Sequence, residues 1–548
     1  MTSGESQFYK DAENHLDALL EEAPVTATFL GDHRFDGGLG DYTREGEERQ
    51  RAMWADWERE LHSFATQGWS LDARIDHTLT TQLVKSFLRG IDRLRLVERN
   101  PSTPADEVVQ GAYLLILRDF APLPQRMGNL LGRLREAPRV FAEGRSRIVA
   151  KDVPPLWAEM AIESAEQSVG FFGGFIPAIA EAVPTQKTEL VAAAQSVAKA
   201  LREHAAWIRN EVQPRAAGDF ATGKPLFEEI LREDHMVDYN AEELLSTGWR
   251  LLDETRAEME RLAARMDKKK TARALIEASK ADHPSAEGLL DAYRTWMAKA
   301  RQFVVDREIA TIPAGETLRI DPTPPFLRPI LPYAAYQMPG FLERVQEGVF
   351  VVTPVEEGAS VDAAERKLRG HPWAAIPVTA LHEAYPGHHL QLVAANQTGT
   401  LPRKMGAFLS SLFVEGWAFY CEELMEELGF IGEPIQKLTR LQAQMWRAAR
   451  IVLDVSLHTG TMDVEEAVRF LVEKANLESE DAQAEVRRYT QAPTQPQCYL
   501  MGKLEILEIV AAYRKAHPEA SLRETHDAIL SCGSLPPRLM RDRLFPAG

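Results

Sequence analysis

The stretch ELLSTGWRLLDETRAEMERLAARM, residues 243–266, sets the terms for this chain. Leu244, Trp249, Leu252, Met259 and Leu262 recur near one face at helical intervals. Residues 188–212, TELVAAAQSVAKALREHAAWIRNEV, and 286–305, AEGLLDAYRTWMAKARQFVV, repeat the pattern. Alternating β-branched runs are scarce, and the clearest is GVFVVTP (348–354), opened by Gly348 and stopped by Pro354. The expected fold is mainly α, large and helical, with one small β element. GVFVVTP could serve as an edge strand that receives an extended peptide, or as half of a small hairpin.

Two stretches interrupt the helices. PRAAGDFATGKP (214–225) has two prolines and two glycines and reads as a linker. It separates an N-terminal helical region, 1–225, from a second helical region, 226–548, the two being expected to pack as one compact unit around a cleft. Residues 311–340, TIPAGETLRIDPTPPFLRPILPYAAYQMPG, are too rich in proline for a long helix, because proline removes the amide donor and crowds the preceding turn. An irregular segment is expected there, of the kind that walls a site built on rigid helices.

With 81 acidic against 63 basic residues the net charge is −18, which argues against a nucleic-acid partner, since phosphates call for a basic surface. The N-terminal residues lack a basic stretch followed by an apolar one. The most apolar run, VGFFGGFIPAIAEAV (169–183), is broken by glycine, proline and glutamate and falls short of the roughly 20 residues of a membrane span. Cys421, Cys498 and Cys532 are too few and scattered for a disulfide framework or a cysteine zinc site. A cytoplasmic protein is expected, with no membrane and no nucleic acid among its partners; the sequence sets no oligomeric state.

Chemistry is concentrated in HEAYPGHH, residues 382–389. Zinc hydrolases of the His-Glu type carry a second histidine four residues after the first, so that both imidazoles share a helix face and the glutamate acts as base. Here that position is Pro386. At about 100° per residue, His389 would lie nearly over His382 but a turn too far along the axis, and His388 would point about 120° away. Pro386 and Gly387 make a continuous helix untenable, however. If they loop out two residues, His388 takes the usual place of the second ligand, with His389 as the alternative. Glu383 is the candidate general base. Downstream, Phe408, Leu412, Glu415, Phe419 and Glu422 form one helical stripe. Carboxylates in an apolar stripe need a partner or a metal. Glu415 is the candidate third ligand, and Glu422 is placed to orient an imidazole or to serve as an alternative ligand.

HEAYPGHHLQ (382–391) and FVEGWAFYCEEL (413–424) together resemble the domain of unknown function 885 family, bacterial proteins with a predicted zinc-peptidase-like site. PVTATFLGDHRFDGGLGDYT (24–43), RPILPYAAYQMPGFLERVQEGVFVVTP (328–354) and RRYTQAPTQPQCYLMGKLEI (487–506) extend the resemblance over nearly the whole chain. It implies a helical fold similar to zinc oligopeptidases and carboxypeptidases of the glutamate-zincin type. It implies His382, His388 and Glu415 as ligands of one Zn2+ ion and Glu383 as base. Pro493, Gln495, Tyr499 and Gly502 match a further family pattern. Arg450, Asp454 and His458 match another, which usually has tryptophan where Thr461 stands here.

Tyr499, or His458, could stabilise the oxyanion of a tetrahedral intermediate. Arg450, Asp454 and His458 sit at four-residue steps and could hold an imidazole toward the site, or form a plain ion-pair ladder. Arg450, Arg488 and Gln495 are candidates for binding substrate. In GDHRFD (31–36) a turn capped by Asp32 is expected. The sequence thus favours a zinc metallopeptidase acting on short peptides or small amides. A metal-dependent enzyme of another reaction class, or a non-catalytic helical interaction protein, would be consistent with the same scaffold.

Overall fold

Helix forms wherever the 3.6-residue periodicity is sustained, and its ends follow local chemistry. In the computed structural model, which describes residues 1–324, 328, 331 and 333–546, the helix Ala241–Met266 begins at Asn240. The Asn240 side chain accepts from the Glu243 amide at 3.0 Å, and the Glu243 carboxylate accepts from the Asn240 amide at 3.0 Å. Leu244, Gly248, Leu252, Met259 and Leu262 form its buried stripe. Trp249, expected on that stripe, is 40% exposed and meets Phe470 edge-on. It is one position out of phase with Gly248, whose missing side chain lets a neighbouring helix approach.

The chain divides into two compact units, one of Met1–Phe220, Pro324–Ile330 and Pro339–Val345, the other of Ala221–Thr323, Leu331–Met338 and Gln346–Gly548. The first unit is helical. Leu123–Arg147 packs with Pro155–Gly170 and Lys187–Trp207 over a core that includes Leu134, Phe141, Phe172, Val197 and Leu201. Arg133 is buried there and, among the described residues, has no carboxylate bond. It donates to the carbonyls of Pro24, Gly38 and Gly111 at 3.1, 2.9 and 2.6 Å. The Asp32 turn is present, with the Arg34 amide donating to Oδ1 at 3.0 Å. The apolar run 169–183 contributes Phe171, Ile176 and Val183 to this core. Among the described residues no helix is long and apolar enough to cross a membrane.

The second unit carries α1 (Ala241–Met266), α2 (Leu289–Asp306), β1 (Thr317–Pro322), β2 (Ala334–Gln337), β3 (Glu347–Val352), α3 (Ile376–Glu383), α4 (His388–Asn396), α5 (Leu401–Leu409), α6 (Leu412–Glu427), α7 (Pro434–His458), α8 (Ser479–Gln491) and α9 (Cys498–Ala516). α1 lies along α7, and a Cβ at Gly248 would come within 2.9 Å of Ile451. The sheet order is β1–β3–β2, with β3 parallel to β1 and antiparallel to β2. GVFVVTP is therefore a central strand, so the edge expectation fails, while its antiparallel pairing with the preceding strand β2 fits the hairpin alternative. Val349, Phe350, Val351 and Val352 are each 1% exposed or less, as a strand covered on both faces requires. The segment 311–340, expected to be irregular, supplies both flanking strands. Among its described prolines, Pro322 is the last residue of β1 and Pro339 lies beyond the end of β2, where no ladder hydrogen bond is lost. Residues 325–327, 329, 330 and 332 of that segment lie outside the described residues.

Candidate metal centre

The octet 382–389 is two helices joined by a reversal. α3 stops at Glu383 and α4 starts at His388. Between them the Gly387 amide donates to the Leu381 carbonyl at 3.0 Å, and the Leu390 amide to that of Ala384 at 3.2 Å. The Tyr385–Pro386 peptide is cis. A Cβ on Gly387 would stand 1.8 Å from the His382 carbonyl oxygen, so only glycine fits the reversal. The outcome is that the His388 ring lies 4.8 Å from that of His382, at 88° to it.

α6 brings the acids. The stripe expected from Phe408 is interrupted: Ser410 is extended, its hydroxyl accepts from the Leu412 amide at 3.3 Å, and the helix starts afresh. Phe408 is left on α5 and is 41% exposed. Leu412, Phe419 and Glu422 of α6 are buried and Glu415 is half-buried. The Trp417 indole donates to the Pro386 carbonyl at 2.8 Å, pinning α6 to the reversal.

One ligand-type atom from each of His382, His388 and Glu415 falls within 4.8 Å of the others. Nε2 of His388 is 3.4 Å from Glu415 Oε2. Nδ1 of His382 is 2.8 Å from Glu422 Oε1, which leaves Nε2 of that ring for another partner. His388 Nδ1 and Glu422 Oε2 are buried without a hydrogen bond among the described residues. Burial works to raise the Glu415 pKa, but the hydrogen bond and charge of His388, the charge of His382 and the Tyr499 hydroxyl hold it down at about 2. Burial works to lower the pKa of His388, and Glu415, then Glu383 and Glu422, hold it above its ordinary value. Glu383 is half-buried at the end of α3.

His389 is set apart from this group. Its ring is fully buried, with Nε2 2.8 Å from Glu316 Oε2 and Nδ1 2.9 Å from the Tyr336 hydroxyl. Glu316 also accepts from Tyr385 at 2.5 Å and from Arg301 at 3.0 Å. Burial opposes the charge on Glu316, but these donors keep its pKa at about 2. Neither Glu316 nor Tyr336 was marked by the sequence, since both stand in the proline-dense segment outside any periodic pattern.

Tyr499 reaches the group through a close helix crossing. A Cβ on Gly416 would lie 2.3 Å from the Gly502 carbonyl carbon, and one on Gly502 would lie 2.0 Å from the Leu412 oxygen. The backbones of α6 and α9 therefore touch, and Tyr499, one turn before Gly502, stands near enough to Glu415 to help hold its pKa down. Burial and the Glu415 charge together raise the phenol above its ordinary value.

The expected substrate-binding residues form a closed network around Tyr499. Arg450 donates to the Tyr489 hydroxyl at 2.9 Å and to Glu485 at 2.9 Å, with its guanidinium 4.4 Å from the Tyr499 ring centre. Arg488 donates to Glu485 at 3.1 Å and to Gln495 at 2.9 Å. Both arginines are thus already matched to one carboxylate. The Arg450, Asp454 and His458 line is not an ion-pair ladder. Asp454 accepts from the Thr494 amide at 3.0 Å, and His458 Nε2 lies 3.0 Å from the Tyr489 carbonyl oxygen, about two turns along α7 from Arg450. Beside this network lies a cavity of about 790 Å³, walled in part by Tyr333, Arg369, Ala375, Trp446, Arg447 and Asp481.

The family described as "Bacterial protein of unknown function (DUF885)" matches the chain over residues 24–544. No curated protein matches it. Among solved structures, one described as a "putative lipoprotein of unknown function" from Shewanella oneidensis is 24% identical, with a TM-score of 0.79 over 99% of this chain and 100% of that one. A second, described as a "putative lipoprotein" from Colwellia psychrerythraea, is 17% identical, with a TM-score of 0.83 over 99% of each chain. At these identities the likeness is one of fold.

Proposed function

The chain belongs to the DUF885 family, and for it we propose a zinc-dependent hydrolase, a metallopeptidase acting on short peptides or peptide-like amides. The observation that carries the reading is the meeting of His382, His388 and Glu415 at one point, with Glu422 behind His382 and Glu383 next to it in the chain. Two imidazoles and one carboxylate are the donor set of a catalytic zinc, which keeps a further position open; a structural zinc takes four protein ligands. The residues fit such an ion, because His388 and Glu415 face each other and His382 keeps one ring nitrogen free of Glu422.

When bound, the ion supplies Lewis acidity and makes water a better acid. The protein's share is position and proton transfer. Glu383 takes the proton from the attacking water and returns it to the leaving amine. Tyr499 donates to the oxygen that gains charge. Glu422 fixes the tautomer and angle of His382. His458, whose bond is to the Tyr489 carbonyl, has no part in this scheme. The cytoplasmic placement expected from the sequence gains no support from the solved neighbours, both described as lipoproteins.

Glu383→Gln tests the assignment. One equivalent of zinc, measured by plasma mass spectrometry, should remain bound while cleavage of a peptide library falls by about 100-fold or more. Cleavage that survives the change would show that Glu383 is not the base.

A further inference from the structure

Among the described residues, the buried cations around α7 are matched to carboxylates, whereas half-buried Arg447 beside them is not. Arg440 donates to Glu426 at 2.5 Å, Arg450 to Glu485 at 2.9 Å, and Lys503 pairs with Glu423. Arg447 makes no ion pair among the described residues. Its Nε is buried without a hydrogen bond, and Nη1 reaches only the Ala443 carbonyl, at 3.5 Å. Three rings hold its plane: Trp446 at 4.8 Å, Phe419 at 5.5 Å and Tyr499 at 5.7 Å from the guanidinium carbon to the ring centre. A guanidinium fixed by rings and left without an acid is a pre-set fork for a planar anion.

Arg447 also stands in the wall of the 790 Å³ cavity, whose volume suits a small peptide. Other cations of that wall are occupied or solvated. Lys280 lies 2.8 Å from both Glu277 and Glu478, Arg369 lies 2.5 Å from Glu277, and Arg366 is exposed. From Arg447 the path inward is short, since the Tyr499 ring it touches belongs to the residue whose pKa the Glu415 charge raises.

We infer that Arg447 binds a carboxylate of the peptide substrate, so that the cavity selects short peptides carrying an anionic group beside the scissile amide. This rests on the hydrolase reading for the word substrate, while the anion site itself stands on the unmatched guanidinium and its cavity. The carboxylate can come from the peptide's C-terminus or from an acidic side chain.

The test uses zinc-loaded full-length protein with Glu383→Gln, so that binding is read without turnover. Acetyl-Ala-Ala, acetyl-Ala-Ala-amide and acetyl-Glu-Ala-amide are titrated by calorimetry. At least one carboxylate-bearing peptide should bind about tenfold or more tightly than the neutral amide. Adding Arg447→Met should remove that advantage, and Arg447→Lys should restore part of it, with near-ultraviolet circular dichroism showing that each variant is folded. Preference for acetyl-Ala-Ala assigns the terminus, and preference for acetyl-Glu-Ala-amide assigns a side chain. Equal affinities, no binding of any peptide, or an advantage that survives Arg447→Met would overturn the inference. Cleavage by the unmodified protein separates the two ideas. Arg447-dependent binding with no peptide cleaved defeats the hydrolase reading alone; cleavage indifferent to the carboxylate defeats the anion site alone.

Discussion

Glu422 presents Oε1 to Nδ1 of His382 at 2.8 Å, and both side chains are almost closed to solvent, at 2% and 8% exposure. The carboxylate occupies Nδ1 and leaves the other nitrogen of the imidazole available to a metal shared with His388 and Glu415. Glu422→Ala should therefore weaken zinc by about 10- to 100-fold without removing a ligand. Competition with a chelator reads the change, and an unaltered affinity would show that Glu422 does not position the ring.

The two adjacent histidines should separate cleanly. His388→Ala should abolish stoichiometric metal uptake. His389→Ala should keep the metal and instead lose about 2–4 kcal/mol of folding stability, because the buried Glu316 charge loses a partner. Metal analysis and denaturant unfolding on the same two samples decide the matter; the opposite pattern sinks the ligand set.

Tyr499→Phe keeps the ring on which Arg447 and Arg450 lie and removes only the hydroxyl. The expected result is a kcat lower by about 100-fold with KM little changed. A loss confined to KM would make Tyr499 a substrate contact in place of an oxyanion donor.

At the crossing of α6 and α9, Gly502→Ala inserts a methyl group 2.0 Å from the Leu412 oxygen. The helices must part, and stability should fall by about 2 kcal/mol or more, visible as a lower Tm. Thermal unfolding unchanged by this methyl group would mean that the crossing is looser than described.

His33, in the first unit, gives a pH signature. Burial lowers its pKa, but Asp36 at 3.1 Å and Glu343 at 3.4 Å outweigh it and raise the value to about 9. A raised folded pKa stabilises fully below the unfolded value of about 6.5 and is lost as pH climbs through about 9. The native protein should exceed His33→Gln by about 1–3 kcal/mol near pH 6 and lose that margin near pH 10, as urea unfolding at the two pH values would show. A margin that grows with pH would contradict the assigned partners.

Much of the site could be read from local pattern. His382, Glu383 and His388 are close in the chain, and Pro386-Gly387 announced that the helix must break between them. Glu415 stood out as a carboxylate among apolar helix positions. What escaped notice depends on distance along the chain. Glu316 meets His389 across 73 positions, and nothing in either neighbourhood signals the pairing. The role of Arg447 emerges from which acids its neighbours have already taken, a property of the packed unit and not of a motif. β1 and β2 were hidden because prolines at their ends masked strands of six and four residues. Trp249 was misplaced because it stands one position beyond Gly248, which holds the buried place on that face.

The contact of Gly416 with Gly502 bears on how a hydrolase of the proposed kind could diversify. Glu415 and Tyr499 each stand within one turn of a point where main chain rests on main chain, so their separation does not depend on the bulk of any side chain. On the proposed reading, substitutions along the 790 Å³ cavity would alter what is admitted while Glu415 and Tyr499 keep their spacing. In the proposed hydrolase, selectivity and chemistry would be mechanically decoupled, so that one cargo could be traded for another without rebuilding the centre that transforms it.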